Sequence, residues 1–396
     1  TQVVPGLLLA RMIRRELPEC HVDIGGNFFQ RVREELCANP GFFREFTHSV
    51  IVGEGEIPLT GLVEALSHRK ALKNVPGLLY LFRNKVAYTG EGPRQNLDDQ
   101  AMPDLEGLPL EKYLTPEIIL SIRASRGCYW NKCTFCDMFL GERVDLLSPD
   151  RLVAEIRHLR DRYGIRRFYF IDECIPPAHK KRMAARLVEE NLGITWSANA
   201  RTEKVFTLPV MQLFHDSGLR LLLWGLESGS RRIMELINKG VDLDGRLDIL
   251  RNSAQAGIFN FGYIFFGFPS ETREEAEETI RVICGNTDII HGYGRSVFTL
   301  GKQSILKDRA QEYGVADVVR NDEAFSADLS YETSRGMTRE EVLQIARSCS
   351  EICSKAYEDP LWMLLRHREY LLLYLSHHGI EYVRNYRLPE TEVAQS

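Results

Sequence analysis

Three cysteines, Cys128, Cys133 and Cys136, stand within a stretch of nine residues. The stretch is predicted to be a loop that follows an apolar run over residues 118–122. Thiolates so close in sequence repel one another and oxidise readily unless a cation lies between them. The spacing therefore favours a shared metal centre.

The three thiolates supply one ligand fewer than either of the two common metal centres requires. A structural zinc site would be closed by a fourth cysteine or histidine at short spacing, and none follows nearby. A [4Fe–4S] cluster usually takes four thiolates, and with three it leaves one iron open to bind another molecule. An iron–sulfur cluster is therefore favoured, with a zinc site and a set of redox-active or unliganded thiols as the alternatives.

The segment Ser125-Arg-Gly-Cys128, followed by Cys133-Thr-Phe-Cys136, resembles the cluster loop of the radical S-adenosylmethionine (radical SAM) enzymes. The resemblance implies that the three cysteines hold a [4Fe–4S] cluster and that Phe135 lies beside the cofactor. In that family the methionine part of SAM binds the open iron, and one electron cleaves the sulfonium to give a 5′-deoxyadenosyl radical. One departure is visible, since four residues separate Cys128 from Cys133 where three are usual. A loop absorbs one extra residue at small entropic cost.

The composition narrows the class of protein. A length of 396 residues allows two or three domains, and 44% apolar with 27% charged residues is typical of globular proteins. The net charge of −5 leaves no basic surface for nucleic acid. The sequence has neither an apolar run of membrane-spanning length nor a leader of the signal-peptide type, so we expect a cytoplasmic protein with no membrane partner.

The remaining cysteines do not indicate a disulfide framework, because the total of nine is odd and three are clustered. Cys349 and Cys353 stand one helical turn apart and could ligate together, but packing is favoured because no third ligand is near in sequence. Four others fall in or beside apolar segments and are expected to be buried free thiols: Cys20, Cys37, Cys174 and Cys284.

After the cysteine loop the sequence alternates strands with helices. The helix over residues 149–163 has Ser148 as its N-cap and ends at Gly164. Apolar strands are predicted over residues 118–123, 167–171, 195–198, 219–225, 260–266 and 296–300. Parallel strands joined by right-handed crossovers predict an α/β fold, a partial, six-stranded TIM-type barrel with its ligands at the carboxyl ends of the strands.

Two acids and two polar residues follow these strands. Asp172 and Glu173 come where relatives receive the ammonium group of SAM, and carboxylates accept such charge-assisted hydrogen bonds. The alternative is an acidic pair at a helix N-terminus. Ser197 and Arg201 share one face of the third strand, where the arginine could bind the methionine carboxylate or a ribose hydroxyl. A surface ion pair is the alternative for Arg201.

Two later motifs complete the resemblance. Gly-Leu-Glu-Ser-Gly around Glu227, followed by Asn-Lys-Gly around Lys239, resembles a family signature in which the acid approaches the ribose and the base approaches the carboxylate. A carboxylate can accept from two ribose hydroxyls, and a lysine supplies a point charge. Residues 262–272, with Gly267 at the turn, resemble the strand that flanks the adenine in the family.

The first hundred residues predict a smaller α/β domain. A helix over residues 3–17, strands over 21–24 and 49–52 that end at glycines, and a helix over 59–66 indicate parallel βα units of a doubly wound, Rossmann-like sheet. The stretch resembles the second half of the cobalamin-binding domain found in many relatives. Its first half, with the histidine-bearing loop, is absent from this sequence, so we expect cobalamin only in the intact parent protein. Residues 75–113 are predicted to be a linker.

The expected organisation is therefore a partial cobalamin-binding-like domain with its linker over residues 1–100, a radical SAM core over 101–300 and a helical, substrate-capping region over 301–396. Helices are predicted in the last region over residues 340–357 and 361–375. Four residues there carry no assigned role: Trp362, His367, His377 and His378.

The resemblance implies an enzyme that removes hydrogen from a carbon of a small molecule or peptide, with flavodoxin or ferredoxin as its electron donor. If the parent protein binds cobalamin, we expect the reaction to be C-methylation. Without cobalamin, the possible reactions are rearrangement, epimerisation, oxidation and ring formation. A tRNA methylthiotransferase is disfavoured because no basic tail is present. A zinc-stabilised binding module without catalysis is the alternative from another class.

Overall fold

A computed structural model describes residues 2–137, 143–319, 326, 328–358, 360, 362 and 369–386 of the chain. Contacts divide these residues into two compact units. The first comprises the described residues within 1–100, 301–303 and 319–330, and the second comprises those within 101–300, 304–318 and 331–396. Among the described helices, none is long and apolar enough to cross a membrane. His367 lies outside the described residues.

The first unit is built on a four-stranded sheet in the order β1-β2-β3-β4. The pair β1/β2 is parallel, as predicted, and the next two pairs are antiparallel. The strands are β1 (Asp23–Gly25), β2 (Ser49–Ile51), β3 (Leu78–Phe82) and β4 (Lys85–Tyr88). The helices are α1 (Val3–Glu16), α2 (Asn27–Arg31), α3 (Arg33–Cys37), α4 (Pro40–Glu45) and α5 (Glu56–Ser67).

The hairpin β3/β4 corrects the prediction of a linker from residue 75 onward. Arg83 and Asn84 join the two strands with φ of 47° and 63°, the left-handed pair of a two-residue hairpin turn. The hairpin adds two strands to the parallel pair, which alone could not form a stable sheet. Short strands between proline and glycine residues predict a linker, because neither strand alone indicates a sheet.

The second unit is built on a six-stranded, entirely parallel sheet in the order β12-β11-β10-β9-β8-β5. Each strand pairs with the next one along this series, the arrangement of an open β/α barrel. The strands are β5 (Ile119–Ile122), β8 (Arg167–Phe170), β9 (Thr195–Ala200), β10 (Leu219–Glu227), β11 (Phe259–Phe266) and β12 (Gly292–Val297). A two-stranded antiparallel ribbon, β6 (Ser125–Arg126) with β7 (Asp145–Leu146), follows β5.

Helices separate the strands, as the alternation predicted. The first has the predicted Ser148 cap, whose hydroxyl accepts from Arg151 N, and it ends at Gly164 in the left-handed conformation. The helices are α6 (Pro149–Tyr163), α7 (Pro177–Glu190), α8 (Leu208–Asp216), α9 (Arg231–Ile237), α10 (Arg246–Gln255) and α11 (Arg273–Cys284). The element order and sheet confirm the predicted fold class.

The two faces of the sheet differ in polarity. Phe168, Trp196 and Trp224 point to the helical side and are fully buried, and the Trp224 ring lies 6.1 Å from that of Phe206 just before α8. The alternate positions carry half-buried Tyr169 and Tyr263 on the other side. Because side chains alternate along a strand, polar groups line the open side of the sheet.

The bounds of the sixth strand differ from the predicted ones. It runs over Gly292–Val297, whereas residues 296–300 were predicted. A side chain at Gly292, the first residue of the strand, would lie 3.0 Å from Phe261 and 3.2 Å from Trp362. The glycine therefore allows close packing at the start of the strand.

The C-terminal region contains the predicted helix over residues 340–357 as α13, and the second predicted helix lies partly outside the described residues. Ser376 of α14 bonds to Thr195, the first residue of β9, with 2.7 Å between the hydroxyl oxygens. The substrate-capping role stays a prediction. The elements after β12 are β13 (Leu300–Gly301), α12 (Ile305–Asp308), β14 (Val315–Val319), β15 (Asp328–Thr333), α13 (Arg339–Tyr357) and α14 (Tyr370–Asn385), the last broken at Gly379.

Candidate active site

The cysteine loop leaves the carboxyl end of β5 and is closed at its base by the ribbon β6/β7. Its far side lies against the end of α9. Thr134 donates from its amide to the carbonyl of Ile237 at 2.9 Å and from its hydroxyl to that of Leu236 at 2.8 Å. These two bonds use carbonyls that the helix end leaves free, so the loop that carries Cys133 is fixed to the segment that leads to Lys239.

The extra residue between Cys128 and Cys133 has a clear structural use. Asn131 adopts the left-handed conformation with φ of 52°, and this places the preceding Trp130 against the segment 238–240. Trp130 Nε1 donates to the carbonyl of Asn238 at 2.7 Å, and Asn238 Nδ2 donates to the carbonyl of Lys132 at 3.0 Å. The longer spacing therefore docks the loop on the later motif.

Arg201 joins the same assembly and is buried, which excludes the alternative of a surface ion pair. Its guanidinium lies 4.2 Å from the Trp130 ring centroid and 5.2 Å from that of Tyr129. Its Nη2 donates to the carbonyl of Lys239 at 2.6 Å, and Nη1 lies 3.3 Å from Glu203 Oε1. Its Nε, also buried, has no hydrogen-bond partner in the described part of the chain.

Glu227 and Lys239, predicted to act together, form a buried ion pair with Nζ 2.6 Å from Oε1. Glu227 lies at an irregularity of β10 and has a φ of 57°, an uncommon conformation for a non-glycine residue that often marks functional sites. A side chain at Gly225 would lie 2.6 Å from both charged atoms. Glycine at that position is therefore needed to leave room for the pair.

The charges of this assembly act on Cys133. Burial raises the pKa of its thiol, and the nearby cations Lys239 and Arg201 oppose that effect. Glu227 and Cys128 add to the increase. Burial likewise opposes protonation of Lys239, but Glu227 and Cys133 outweigh it and raise the pKa of the ammonium. The thiol, the carboxylate and the two cations thus share one electrostatic environment.

The two acids after β8 have different surroundings. Both oxygens of Asp172 accept from Ala124 N, at 3.2 and 3.0 Å, and Oδ1 accepts from Ser125 Oγ at 2.5 Å. Asp172 therefore holds the start of the cysteine loop. Glu173 is exposed and makes no hydrogen bond with the described residues; its local desolvation and Asp172 raise its pKa. Neither acid caps a helix, since α7 begins at Pro177 with no acid in its first turn.

Ser197 and its neighbours lie deeper in the sheet. The Ser197 hydroxyl is fully buried and has no partner among the residues described. Asn199, two residues further, donates from Nδ2 to the carbonyl of Asp172 at 2.9 Å, and its own carbonyl accepts from buried Lys180 at 2.9 Å. Burial lowers the pKa of Lys180. This lysine was missed by the sequence analysis because it lies in an ordinary amphipathic helix pattern.

The predicted adenine-side turn is held by a buried acid. Gly267 has a φ of 87°, and its amide donates to Glu271 Oε2 at 2.6 Å. Glu271 Oε1 is buried without a partner in the described ranges, and burial raises the pKa of Glu271 to about 8. The ring of Phe135 lies 5.2 Å from that of Phe265, near the end of β11. Phe135 thus links the cysteine loop to this strand.

The donor set fits an iron–sulfur cluster in its chemistry: three half-buried thiols on one loop, with Lys239 and Arg201 acting on one of them. The ligand assignment itself stays a prediction. Within the described ranges, no three His, Cys, Asp or Glu side chains are grouped in a way that could hold a metal ion. Buried Cys174, whose backbone bridges to that of Cys128, is a further thiol beside the loop that the sequence did not connect with it.

Residues 122–283 match the profile of the Radical SAM superfamily. This range of the chain is a radical SAM domain. The matched range begins at the end of β5 and includes the cysteine loop, Glu227 and Lys239. The predicted family is confirmed, and the cofactors it implies are a [4Fe–4S] cluster and SAM.

Relatives of this radical SAM chain include an uncharacterised methyltransferase of Pyrococcus horikoshii, 35% identical over 242 residues that make up 59% of this chain and 52% of that protein. A hopanoid C-3 methylase of Methylococcus capsulatus is 26% identical over 261 residues, 63% of this chain and 48% of that protein. The chain spans about half the length of these curated relatives.

Among solved structures, the cobalamin-dependent S-adenosylmethionine radical enzyme OxsB superposes with a TM-score of 0.71 and 17% identity. The superposition covers 94% of the radical SAM chain and 60% of OxsB. At this identity the similarity establishes the fold, and it agrees with the partial barrel described above.

Proposed function

We propose that the chain forms the catalytic part of a radical SAM enzyme that methylates carbon with the help of cobalamin. Methyl transfer is named for the relatives from Pyrococcus and Methylococcus, and cobalamin dependence is named for OxsB. The partial parallel sheet of the first unit, with the glycines after β1 and β2, supports the second part of the proposal.

The observation that carries the proposal is the meeting of the cysteine loop with Glu227, Lys239 and Arg201. A bound [4Fe–4S] cluster would supply the electron that cleaves the sulfonium of SAM, and this is the radical chemistry that the superfamily implies. Cys128, Cys133 and Cys136 would hold the cluster. The loop is positioned for that task by the hydrogen bonds of Thr134 and Trp130.

The remaining site residues supply complementary groups for SAM. Lys239 and Arg201 provide positive charge for its carboxylate, and Glu173 provides negative charge for its ammonium. Glu227 uses Oε1 for Lys239, and Oε2 is the acceptor for the ribose hydroxyls. The peptide of Gly267, held by Glu271, faces the adenine.

The open side of the sheet is the place for the substrate carbon. Tyr169 and Tyr263 line it with half-buried rings, and Gly225 keeps it clear beside the Glu227–Lys239 pair. Burial raises the pKa of Tyr169 to about 12, so its phenol stays protonated at neutral pH and acts as a hydrogen-bond donor. These groups orient a substrate and do not themselves remove hydrogen from carbon.

The test is anaerobic reconstitution of the chain with iron and sulfide, followed by reduction and addition of SAM. We expect about four irons and four sulfides per chain and formation of 5′-deoxyadenosine. Cys133→Ala should abolish that product. Cys37→Ala, at an exposed cysteine of the first unit, is the matched control and should leave the yield unchanged. One zinc per chain with no 5′-deoxyadenosine would favour the binding module.

The methylation part is tested separately in the intact parent protein, which is expected to hold cobalamin, by adding cobalamin under reducing conditions. A methyl group that passes from SAM to reduced cobalamin leaves S-adenosylhomocysteine, so this product should form only when cobalamin is present. If 5′-deoxyadenosine forms and S-adenosylhomocysteine does not, the superfamily assignment stands and the methylation proposal fails. We further propose flavodoxin or ferredoxin as the electron donor and a cytoplasmic location, which reconstitution with each donor and cell fractionation would test.

A further inference from the structure

A second group of thiols lies apart from the cysteine loop, where α11 packs against α13. Cys284 is the last residue of α11, and Cys349 and Cys353 lie on α13. The sulfur atoms of Cys284 and Cys353 are 2.7 Å apart, and those of Cys349 and Cys353 are 3.9 Å apart. The sequence suggested an isolated pair on one helix, whereas the fold brings a third thiol to it from 69 residues away.

The distances between the sulfur atoms distinguish the pair Cys284–Cys353 from the pair Cys349–Cys353. A disulfide bond is about 2.05 Å long and joins residues whose Cα atoms lie about 5–6 Å apart. The sulfurs of Cys284 and Cys353 need to approach by less than about 1 Å to reach that length. Cys349 and Cys353 are at ordinary contact distance on neighbouring turns of a single helix, where a bond would strain the backbone.

We propose that Cys284 and Cys353 are a site of reversible oxidation, where a disulfide forms on exposure to a low-molecular-weight disulfide such as oxidised glutathione. One protein thiolate displaces glutathione from the oxidised reagent and forms a mixed disulfide. The other thiolate then displaces the second glutathione and closes the protein disulfide. The two protein thiols lose two electrons and two protons, and one oxidised glutathione becomes two reduced molecules.

Access suits this order of events. Cys284 is half-buried whereas Cys353 is fully buried, so the reagent meets Cys284 first. The pKa of Cys284 is raised, first by its hydrogen bond with Cys353 and then by burial, so we expect the oxidation to become faster as the pH rises.

The bond would act on an element that reaches the candidate active site. The first turns of α13 include Val342, which packs on Gly267: a side chain at residue 267 would lie 2.7 Å from Val342 Cγ1. The helix α11 follows the Gly267–Glu271 turn directly. A Cys284–Cys353 bond therefore fixes the two helices that flank the predicted adenine-side turn.

The experiment treats the reconstituted chain with oxidised glutathione, blocks the remaining thiols with iodoacetamide and maps disulfides by mass spectrometry. Trypsin places Cys284 in the peptide 282–295 and both α13 cysteines in the peptide 348–355. Cleavage after Glu351 then separates Cys349 from Cys353. The cysteine loop falls in other peptides, so the result does not depend on whether the proposed function is correct.

We expect peptides 282–295 and 348–355 to become linked through Cys353 and to separate again with dithiothreitol. The melting temperature should rise by about 5 °C or more on oxidation, because the bond closes a long loop. Cys353→Ser and Cys284→Ser should each abolish the link and the rise, and Cys349→Ser, the matched control, should retain the link. Separate alkylation of Cys284 and Cys353 after oxidation, or a link through Cys349, would overturn the proposal.

Discussion

The indole ring of Trp130 fills the space above Gly240: a side chain at residue 240 would place its Cβ 1.9 Å from two carbons of the ring. The same tryptophan donates a hydrogen bond to the carbonyl of Asn238. The contact joins the cysteine loop to the segment that contains Lys239. The extra residue in that loop is therefore a structural part of the candidate site.

The Trp130–Gly240 contact predicts the effect of Gly240→Ala. An alanine side chain at residue 240 would clash with the indole ring, and its backbone would be strained at a φ of 66°. We therefore expect a loss of about 2–4 kcal/mol in the free energy of unfolding. The loop should also release iron faster after reconstitution. Gly164→Ala is the control, because its φ of 71° is similar and no atom lies within 4 Å of the added carbon.

The control should cost about 1 kcal/mol, from backbone strain alone. Urea unfolding measures both variants, and iron content after gel filtration measures loop integrity. Equal losses in Gly240→Ala and Gly164→Ala would show that the indole contact contributes nothing.

The buried Glu227–Lys239 pair predicts a strong coupling between the two residues. Lys239→Met leaves a carboxylate buried without its partner, which costs about 3–5 kcal/mol. Glu227→Gln leaves a buried ammonium in a similar position. The double variant should be more stable than either single one, because no uncompensated charge remains.

A double-mutant cycle from urea unfolding measures this coupling. Asp244→Asn is the control, because Arg231 and Asp244 form an ion pair on the surface and the change should cost less than about 1 kcal/mol. Additive losses from the two single variants would contradict the pairing of Glu227 with Lys239.

Of the two acids after β8, we expect Asp172 to contribute to stability and Glu173 to contribute to SAM binding. Asp172→Asn weakens the bonds to Ala124 and Ser125 and should lower the free energy of unfolding by about 1–3 kcal/mol. Glu173→Gln should change stability by less than about 0.5 kcal/mol. It should raise the Kd for SAM about tenfold through the lost charge.

Urea unfolding and equilibrium dialysis with SAM give the two readouts for each variant. Unchanged SAM affinity in Glu173→Gln, together with weaker affinity in a fully folded Asp172→Asn variant, would transfer the ammonium-binding role to Asp172.

Glu271 is predicted to make stability depend on pH. Its folded-state pKa is about 8, above the ordinary 4.5, so the folded state retains a proton that the unfolded state releases. Stability from this group is therefore fully present below about pH 4.5 and is lost as the pH rises towards 8. The slope approaches about 1.4 kcal/mol per pH unit at its steepest.

Glu271→Gln keeps an acceptor for the Gly267 amide and removes the titration. The variant should gain stability relative to the parent chain as the pH rises from 5 to 8.5. Subtracting the two free energies of unfolding at each pH removes the contribution of the other titrating groups. A constant difference across this range would show that Glu271 is charged in the folded protein.

The sequence patterns predicted five of the six barrel strands closely, and the reason is local. Residues 168–171 and 221–224 are continuous apolar runs, which indicate strands buried on both faces. The Ser148 cap and Gly164 likewise mark the two ends of α6 through short-range chemistry. Glu227 and Lys239 were recognised because their motif is contiguous in sequence.

Contacts between distant residues were not predictable in the same way. Nothing in the sequence indicates that Trp130 packs on Gly240, or that Phe261 and Trp362 pack closely on Gly292 at the start of a strand. The cysteines show the same limit. Cys20 and Cys37 are predicted to be buried and are exposed, because Cys20 lies in the connection between α1 and β1 and Cys37 is the last residue of the short helix α3.

The electron paramagnetic resonance spectrum of the reduced, reconstituted chain, recorded before and after SAM is added, tests whether the three cysteines hold a cluster that binds SAM. We expect the signal of one reduced [4Fe–4S] cluster whose g values shift when SAM binds at the iron that lacks a cysteine ligand. Cys128→Ala, Cys133→Ala and Cys136→Ala should each lose that signal. A cluster signal that SAM leaves unchanged, or a chain that binds zinc and shows no cluster signal, would contradict this expectation.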